Sequence, residues 1–313
     1  MLTAYRPENG KMIAGAPPET ALWIDLFQPT EAEIARLAAL GIAIPSLADM
    51  EEIELSNRLY HEEAAHVMTI VTTGQTAAGT RISGPVTFIL TRERLVTVRH
   101  HTPRPFETWP NRAGKAAAGT ASPGAILLGL AEEIIGRLAD HLEETSRGLD
   151  SVSATIYAAD PALRTQERLQ LTLQQVGREG EMLGRLRLSL LTLGRAIGFV
   201  MPLAEMRPLA EVAATLSRDL QALEVHADFL GQRVALASDA TLGMIDLAQN
   251  ATVRIVSVVS ALFLPPTLIA SIYGMNFARM PELAQPWGYP MALGLMLASA
   301  LLTWAYFKWK KWL

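Results

Sequence analysis

Two long apolar segments near the end of the chain dominate its pattern of hydrophobic and polar residues. One runs from Ile255 to Ala278 and the other from Leu283 to Phe307, and neither contains Asp, Glu, Lys, Arg or His. A helix of about 20 residues crosses the hydrocarbon core of a bilayer. The pattern therefore predicts transmembrane helices at 255–273 and 289–307, because buried helices of a soluble core are shorter and less uniformly apolar.

The residues that flank these segments predict an orientation in the lipid bilayer. Arg254 precedes the first segment and the tail 308–313 is basic, whereas the loop 274–288 carries one Arg and one Glu. Lys and Arg are enriched on the cytoplasmic side, so we expect both termini in the cytoplasm and the loop outside. Aromatic residues suited to the lipid–water interface flank the second segment: Trp287, Tyr289, Trp304, Tyr306, Trp309 and Trp312.

Residues 1–122 have the pattern of an α/β domain. Four segments rich in apolar and β-branched residues predict strands at 21–26, 66–73, 85–90 and 94–99. The polar residues 91–94 predict a turn that joins the last two strands in a hairpin, and Gly84-Pro85 predicts another turn. Thr30, followed by an acidic and apolar segment, predicts a capped helix.

From Pro123 onward, the apolar residues recur only at the spacing of helices. Apolar spacing predicts a helix from Ile126 to about residue 158 and a second to about Phe199, which together form an antiparallel hairpin over 123–207. No proline occurs between Pro208 and Pro265. Residues 208–254 are therefore predicted to form the cytoplasmic part of a stalk helix that continues into the first span.

Polar residues of the first span recur at intervals of three and four. Such a repeat keeps one face of a helix toward a common axis. The repeat extends toward the N terminus and includes two apolar positions, Val253 and Leu264. Together with the adjoining Val256 it defines what we call the polar stripe: Asp239, Asp246, Asn250, Val253, Val256, Ser257, Ser260, Leu264, Thr267 and Ser271.

Two interpretations of the polar stripe are open. Small polar residues serve close packing of membrane helices, which would make the stripe a helix–helix seam. Alternatively the stripe lines a pore, which requires several copies around an axis because two spans cannot enclose water. Asp239 and Asp246 would then form acidic rings at the inner mouth, and Val253, Val256 and Leu264 would form apolar constrictions that gate by dewetting.

The amino-acid composition limits the kinds of partner and chemistry that the chain can have. The 313 residues carry a net charge of −4 and no cysteine, which argues against a nucleic-acid partner and excludes thiolate chemistry. The six histidines show no recurring metal-ligand spacing, so His61, His66, His100 and His101 are interpreted as surface or structural residues. No phosphate-binding glycine motif is evident, and neither an enzyme nor an organic cofactor is expected.

The loop between the spans carries the motifs YGMNF (273–277) and MPEL (280–283). Placed between two C-terminal spans and before a Lys- and Trp-containing tail, they resemble the signature of the CorA family of magnesium channels. The resemblance implies an α+β cytoplasmic domain with long helices plus two C-terminal transmembrane helices. It also implies a CorA-like homopentameric funnel in the bacterial inner membrane.

The resemblance assigns roles to individual residues. It implies a selectivity filter of Gly274, Met275 and Asn276 at the outer mouth, with Asn276 contacting hydrated Mg²⁺. The family's pore-lining asparagine and threonine correspond to Asn250 and Thr267, and its inner-mouth aspartate corresponds to Asp239. The family's hydrophobic gate corresponds to Val253 and Val256, where many relatives have bulkier Met and Leu.

The chemistry of the filter fits this resemblance. Mg²⁺ gives up its waters reluctantly, and a ring of neutral amides can bind the hydration shell without retaining the ion. Gly274 is expected to let the backbone turn out of the helix and to let neighbouring subunits approach. Glu282 either concentrates cations outside the pore or is a solvated loop charge.

The expected function is passive, potential-driven Mg²⁺ uptake, because neither span contains the Asp, Glu or His of a proton relay. The resemblance implies feedback inhibition by cytoplasmic Mg²⁺, for which Glu211, Asp219 and Asp228 are candidate ligands. One alternative is a Zn²⁺, Co²⁺ or Ni²⁺ transporter of the same superfamily, with or without proton coupling. Another is a membrane-anchored scaffold or sensor. The intact GMN and MPEL motifs favour the magnesium branch.

Overall fold

A seven-stranded mixed sheet organises the N-terminal third of the chain. Its order is β2-β1-β3-β7-β6-β5-β4, and every neighbouring pair is antiparallel except β3 and β7. The strands are β1 (Leu2–Glu8), β2 (Lys11–Ala14), β3 (Trp23–Phe27), β4 (Leu59–Glu62), β5 (Ala65–Gln75), β6 (Arg81–Leu90) and β7 (Leu95–Arg99).

Helices make up the rest of the regular structure. The α-helices are α1 (Glu31–Ala38), α2 (Leu47–Glu51), α3 (Leu55–Arg58), α4 (Arg104–Arg112), α5 (Pro123–Ile156), α6 (Gln166–Val200), α7 (Ala210–Tyr273) and α8 (Gly288–Trp309). Short 3₁₀ helices cover Ala113–Lys115, Ala204–Leu209 and Pro281–Ala284.

The computed structural model describes residues 1–62, 64–75, 81–159, 165–275, 280–310 and 312. The chain folds into two units. The first comprises Met1–Ala154 and Gln174–Ser238, and the second comprises Thr155–Leu173 and Asp239–Leu313. The sheet belongs to the first unit and α8 to the second.

Both faces of the sheet are buried. Met68, Val86 and Phe88 lie in one apolar cluster with residues of α4, α5, α6 and α7. On the opposite face, Ile89 and Val96 pack in a second cluster with residues of α1 and α2. Because successive side chains of a strand point to opposite faces, burial on both sides requires the nearly continuous apolar runs that the sequence shows.

The long helices of the first unit pack against one another. Gln175 of α6 donates a hydrogen bond to the carbonyl of Gly148 in α5 (3.3 Å). Arg187 of α6 pairs with Asp228 of α7 (2.8 Å). Gly180 of α6, seven residues earlier, lies against Val234, so α6 and α7 run antiparallel.

Four predicted strands are confirmed as β3, β5, β6 and β7, with small shifts at their ends. The predicted hairpin is also confirmed, because β6 pairs antiparallel with β7 and the amide of Thr91 donates to the carbonyl of Arg94. Thr30 caps α1 in a reciprocal capping box with Glu33, as the sequence predicts.

The predicted turn at Gly84-Pro85 is wrong, because both residues lie inside β6. A Cβ atom on Gly84 would approach the His101 ring to 2.9 Å, and one on Gly74 would approach it to 2.6 Å. His101 is buried, and its Nε2 lies 3.0 Å from the carbonyl oxygen of Thr72. The glycine at position 84 therefore makes room for an imidazole and does not mark a turn.

A buried ion pair joins the two parallel strands. Arg99 of β7 contacts both carboxylate oxygens of Asp25 in β3. Its Nη2 lies 2.9 Å from Oδ2 and its Nε lies 3.2 Å from Oδ1, and the two side chains are 12% and 5% exposed. Thr97 donates to the same carboxylate and accepts from the indole N–H of Trp23. Removal of one partner would leave the other charge buried and unpaired.

Replacing Arg99 by alanine is therefore expected to destabilise the first unit by about 3–5 kcal/mol. The control is Arg6→Ala, whose ion pair with Glu8 is exposed (63% and 48%) and should be worth under about 1 kcal/mol. Thermal unfolding of the two purified variants measures the difference. Equal unfolding midpoints would show that the Asp25–Arg99 pair does not hold the sheet together.

Candidate functional site: the polar stripe of the long helix

The candidate ion pathway is built on α7, one uninterrupted helix of 64 residues. At 1.5 Å per residue its length is about 96 Å. Pro265 and Pro266 lie inside the helix without ending it. Each proline lacks an N–H, so the carbonyls of Ala261 and Leu262, four residues earlier, lose their usual helical donors.

Both C-terminal helices carry membrane-length apolar segments. The most apolar windows of the helical segments Ala204–Tyr273 and Gly288–Trp309 have mean hydropathies of 2.1 and 1.5, and only 6% of each window is buried. A core helix of a soluble protein would bury most of such a segment. The exposure of these apolar side chains therefore agrees with two transmembrane helices.

The polar stripe occupies one exposed face of α7. All ten of its residues, from Asp239 to Ser271, are exposed in the single chain. The less exposed side chains between residues 255 and 271 lie outside the stripe, namely Val258, Ala261, Leu262, Pro265, Pro266 and Ile269. The helix thus has a partly covered face and a separate exposed face that carries the stripe.

Thr267 shows how a hydroxyl of the stripe is oriented. Its Oγ1 donates a hydrogen bond to the carbonyl of Phe263 at 2.7 Å. With its proton used inside the helix, the oxygen has lone pairs left to accept hydrogen bonds. Water molecules bound to a cation point their hydrogens outward, so an accepting hydroxyl suits a hydrated cation.

The GMN motif begins where α7 ends, at Tyr273. The amide of Gly274 donates to the carbonyl of Ala270 (2.9 Å), and that of Met275 donates to the carbonyl of Ile272 (3.3 Å). Asn276, the predicted Mg²⁺ contact, lies outside the described residues. The expectation that Gly274 serves the backbone turn gains no support, because its φ is not in the left-handed region.

The candidate charges outside the spans have different surroundings. Glu282 is partly exposed in the first turn of the 3₁₀ helix Pro281–Ala284. Glu211 and Asp219 are exposed on α7, whereas Asp228 is paired with Arg187. Eight or nine residues separate these carboxylates along the helix, about 12 Å or more, so a single chain cannot bring them to one ion.

Aromatic side chains lie near both ends of α8, and lysines lie near its C-terminal end. The aromatic residues predicted as interfacial anchors are all exposed, from 45% at Trp304 to 77% at Trp309. Lys308 Nζ lies 4.7 Å above the Trp304 ring. Such amphipathic pairs suit the lipid–water boundary.

A family model described as "CorA-like Mg2+ transporter protein" matches residues 18–310. The "Magnesium transport protein CorA" of Escherichia coli (strain K12) is 33% identical over 324 aligned positions, which cover all of both chains. The aligned region includes the sheet, the long helices and both spans, and 33% identity over that length far exceeds the GMN and MPEL motifs.

Two solved structures share the fold. "The complete structure of CorA magnesium transporter from Methanocaldococcus jannaschii" superposes with a TM-score of 0.75 at 18% identity, and covers 100% of this chain and 99% of that one. The ZntB cytoplasmic domain from Vibrio parahaemolyticus has a TM-score of 0.55 at 12% identity, and covers 78% and 97%.

Proposed function

The chain belongs to the family of CorA-like Mg²⁺ transporter proteins, and we propose that it is a divalent cation channel for passive uptake of Mg²⁺. The observation that carries the channel mechanism is the exposed polar stripe on α7. The seven polar residues of the stripe, on one face of a helix that passes into an apolar span, need water or another helix beside them.

We propose a homopentamer with the stripe of each copy facing the axis. The stripe then becomes a series of rings, with carboxylates of Asp239 and Asp246 at the inner mouth and hydroxyls such as that of Thr267 deeper in. Carboxylate rings concentrate cations, and accepting hydroxyls bind their hydration water. Val253 and Val256 form the narrow apolar section that closes by dewetting.

Selection takes place at the outer mouth in this proposal. Gly274, Met275 and Asn276 form a ring in which amide groups contact the waters of Mg²⁺ and leave the ion hydrated. Mg²⁺ exchanges its waters slowly, so a site that kept them intact avoids the cost of dehydration. Glu282 raises the local concentration of cations outside the ring.

The proposal also places the chain in a membrane and gives it a means of regulation. Both termini lie in the cytoplasm of a bacterial inner membrane, with spans at 255–273 and 289–307. Cytoplasmic Mg²⁺ inhibits the channel by binding between subunits. Glu211 and Asp219 are exposed and are free to contribute to such a site, whereas Asp228 would first have to leave Arg187.

A transporter for Zn²⁺, Co²⁺ or Ni²⁺ is the weaker alternative. The likeness to the ZntB cytoplasmic domain concerns the fold alone, at 12% identity. Residues 274–276 and 280–283 retain GMN and MPEL, the pattern that the resemblance associates with magnesium.

Uptake by liposomes that contain the purified full-length chain tests this function. With an internal Mg²⁺ dye and no pH gradient, we expect Mg²⁺ entry well above that of protein-free liposomes. Zn²⁺ entry that requires a pH gradient, without Mg²⁺ entry, would favour the alternative carrier. No flux of any divalent ion would favour a scaffold or sensor.

A further inference from the structure

Two histidines face each other across the β4–β5 hairpin of the first unit. His61 and His66 are directly opposite in the antiparallel register, a position that places their side chains on the same face of the sheet. Their Nδ1 atoms lie 2.5 Å apart and their rings are nearly perpendicular, at 87°. Two imidazole nitrogens therefore converge on one point at the edge of the sheet.

The carboxylate of Glu205 contacts the other nitrogen of the His66 ring, Nε2. Oε1 of Glu205, in the 3₁₀ helix Ala204–Leu209, lies 3.3 Å from His66 Nε2. When Nε2–H donates to this carboxylate, Nδ1 of the neutral ring is left with its lone pair. That lone pair accepts a hydrogen bond from Nδ1–H of His61. A metal ion can replace the shared proton while the carboxylate keeps the His66 ring oriented, as in metal-ligating imidazoles.

The first imidazole is positioned by an aromatic ring. His61 stacks on Phe199 of α6, with centroids 4.5 Å apart and planes at 20°. Its ring is exposed, whereas the His66 side chain is 20% exposed. One ring of the pair is thus exposed and able to rotate, and the other is held in place by the fold.

We propose that His61 and His66 bind a borderline divalent transition cation, of which Zn²⁺, Co²⁺ and Ni²⁺ are the candidates. Imidazole suits these ions, whereas Mg²⁺ prefers oxygen ligands. Zn–N bonds of about 2.0–2.1 Å in tetrahedral geometry separate two nitrogens by about 3.3 Å. The pair must therefore open by under about 1 Å, which a small rotation of the exposed His61 ring provides.

Solvent fills the remaining positions around the ion. Within the described ranges, no group of three or more His, Asp or Glu side chains is arranged to hold a metal, so the site has two protein ligands. Such a site is open and exchanges its ion readily. It gives the first unit a means to distinguish transition cations from Mg²⁺, and it is independent of the proposed transport function.

Titration of the purified full-length chain with Zn²⁺ in excess Mg²⁺ tests the proposal, because Mg²⁺ occupies oxygen sites and leaves the imidazoles free. Isothermal calorimetry should find one Zn²⁺ site per chain that is lost in both His61→Gln and His66→Gln. Glu205→Gln should weaken it by about 10–100-fold, the usual effect of removing a supporting carboxylate. His226→Gln, an exposed histidine on α7, is the matched control and should bind as the wild type.

Three outcomes would overturn the site: no Zn²⁺ binding by the wild type, binding unchanged in His61→Gln, or equal loss in His226→Gln. Thermal unfolding of each variant checks that the hairpin is intact. Since Mg²⁺ uptake should be the same in His61→Gln and wild type, failure of the metal site and failure of the channel proposal are distinguishable.

Discussion

Replacing Asn276 by alanine is expected to reduce Mg²⁺ flux at least about tenfold in reconstituted liposomes. A hydrogen bond to a charged group contributes about 1.5–3 kcal/mol, and each 1.4 kcal/mol is about a factor of ten. A pentamer loses five such amides at once, and alanine offers no acceptor or donor for the hydration shell of Mg²⁺.

The matched control for this variant is Gln285→Ala. Gln285 is an exposed amide in the same loop, and the proposal gives it no role in selection. Its flux should equal that of the wild type. Both variants must reach the membrane at wild-type levels and assemble to the same size in detergent. Flux that survives Asn276→Ala unchanged would contradict the assignment of the filter to residues 274–276.

Mg²⁺ accumulation should follow the membrane potential. Moving two charges through 100 mV changes the free energy by about 4.6 kcal/mol, which corresponds to an equilibrium ratio on the order of a thousandfold. In liposomes whose potential is set by a K⁺ gradient and valinomycin, an inside-negative potential should drive uptake and an inside-positive potential should suppress it.

A pH gradient without a potential is the control for this experiment. The described residues of the two spans include no Asp, Glu or His, the side chains that form proton relays in membranes. A pH gradient alone should therefore leave Mg²⁺ uptake near its unstimulated level. Uptake driven by the pH gradient and insensitive to the potential would contradict passive flux.

The parts of the fold that the sequence predicts are those in which burial imposes a pattern. Strands β5, β6 and β7 are covered on both faces, so their apolar runs are conspicuous. The capping box at Thr30 and Glu33 is a local hydrogen-bonding motif, and it needs no tertiary contact. The course of α7 follows from the absence of proline between Pro208 and Pro265.

Features that depend on distant contacts were not predicted. Strands β1, β2 and β4 lie at or near the edges of the sheet, where one-sided or partial burial leaves a weak pattern. Gly84 accommodates His101, which is 17 positions away in the chain. The convergence of His61, His66 and Glu205 requires both a hairpin register and the placement of a 3₁₀ helix.

For the candidate pathway, the sequence specifies which residues share a face but not what that face contacts. The residues that the sequence assigns to the polar stripe are all exposed in the single chain. A helix–helix seam requires the stripe to face another helix, whereas a pore requires it to face an axis shared by several copies, with water along it. The central claim of the proposal is therefore that the stripe is in contact with water inside the assembled membrane protein.

The absence of cysteine from the chain makes that claim directly measurable. Ser257 belongs to the stripe, and Val259 lies about 200° away around the same helix; both are exposed in the single chain. In reconstituted liposomes, a small charged thiol reagent should label Ser257→Cys and reduce its Mg²⁺ flux, while Val259→Cys, which faces lipid or protein, should stay unlabelled. Equal labelling of the two positions, or labelling of Val259→Cys alone, would contradict a water-filled pathway along the stripe.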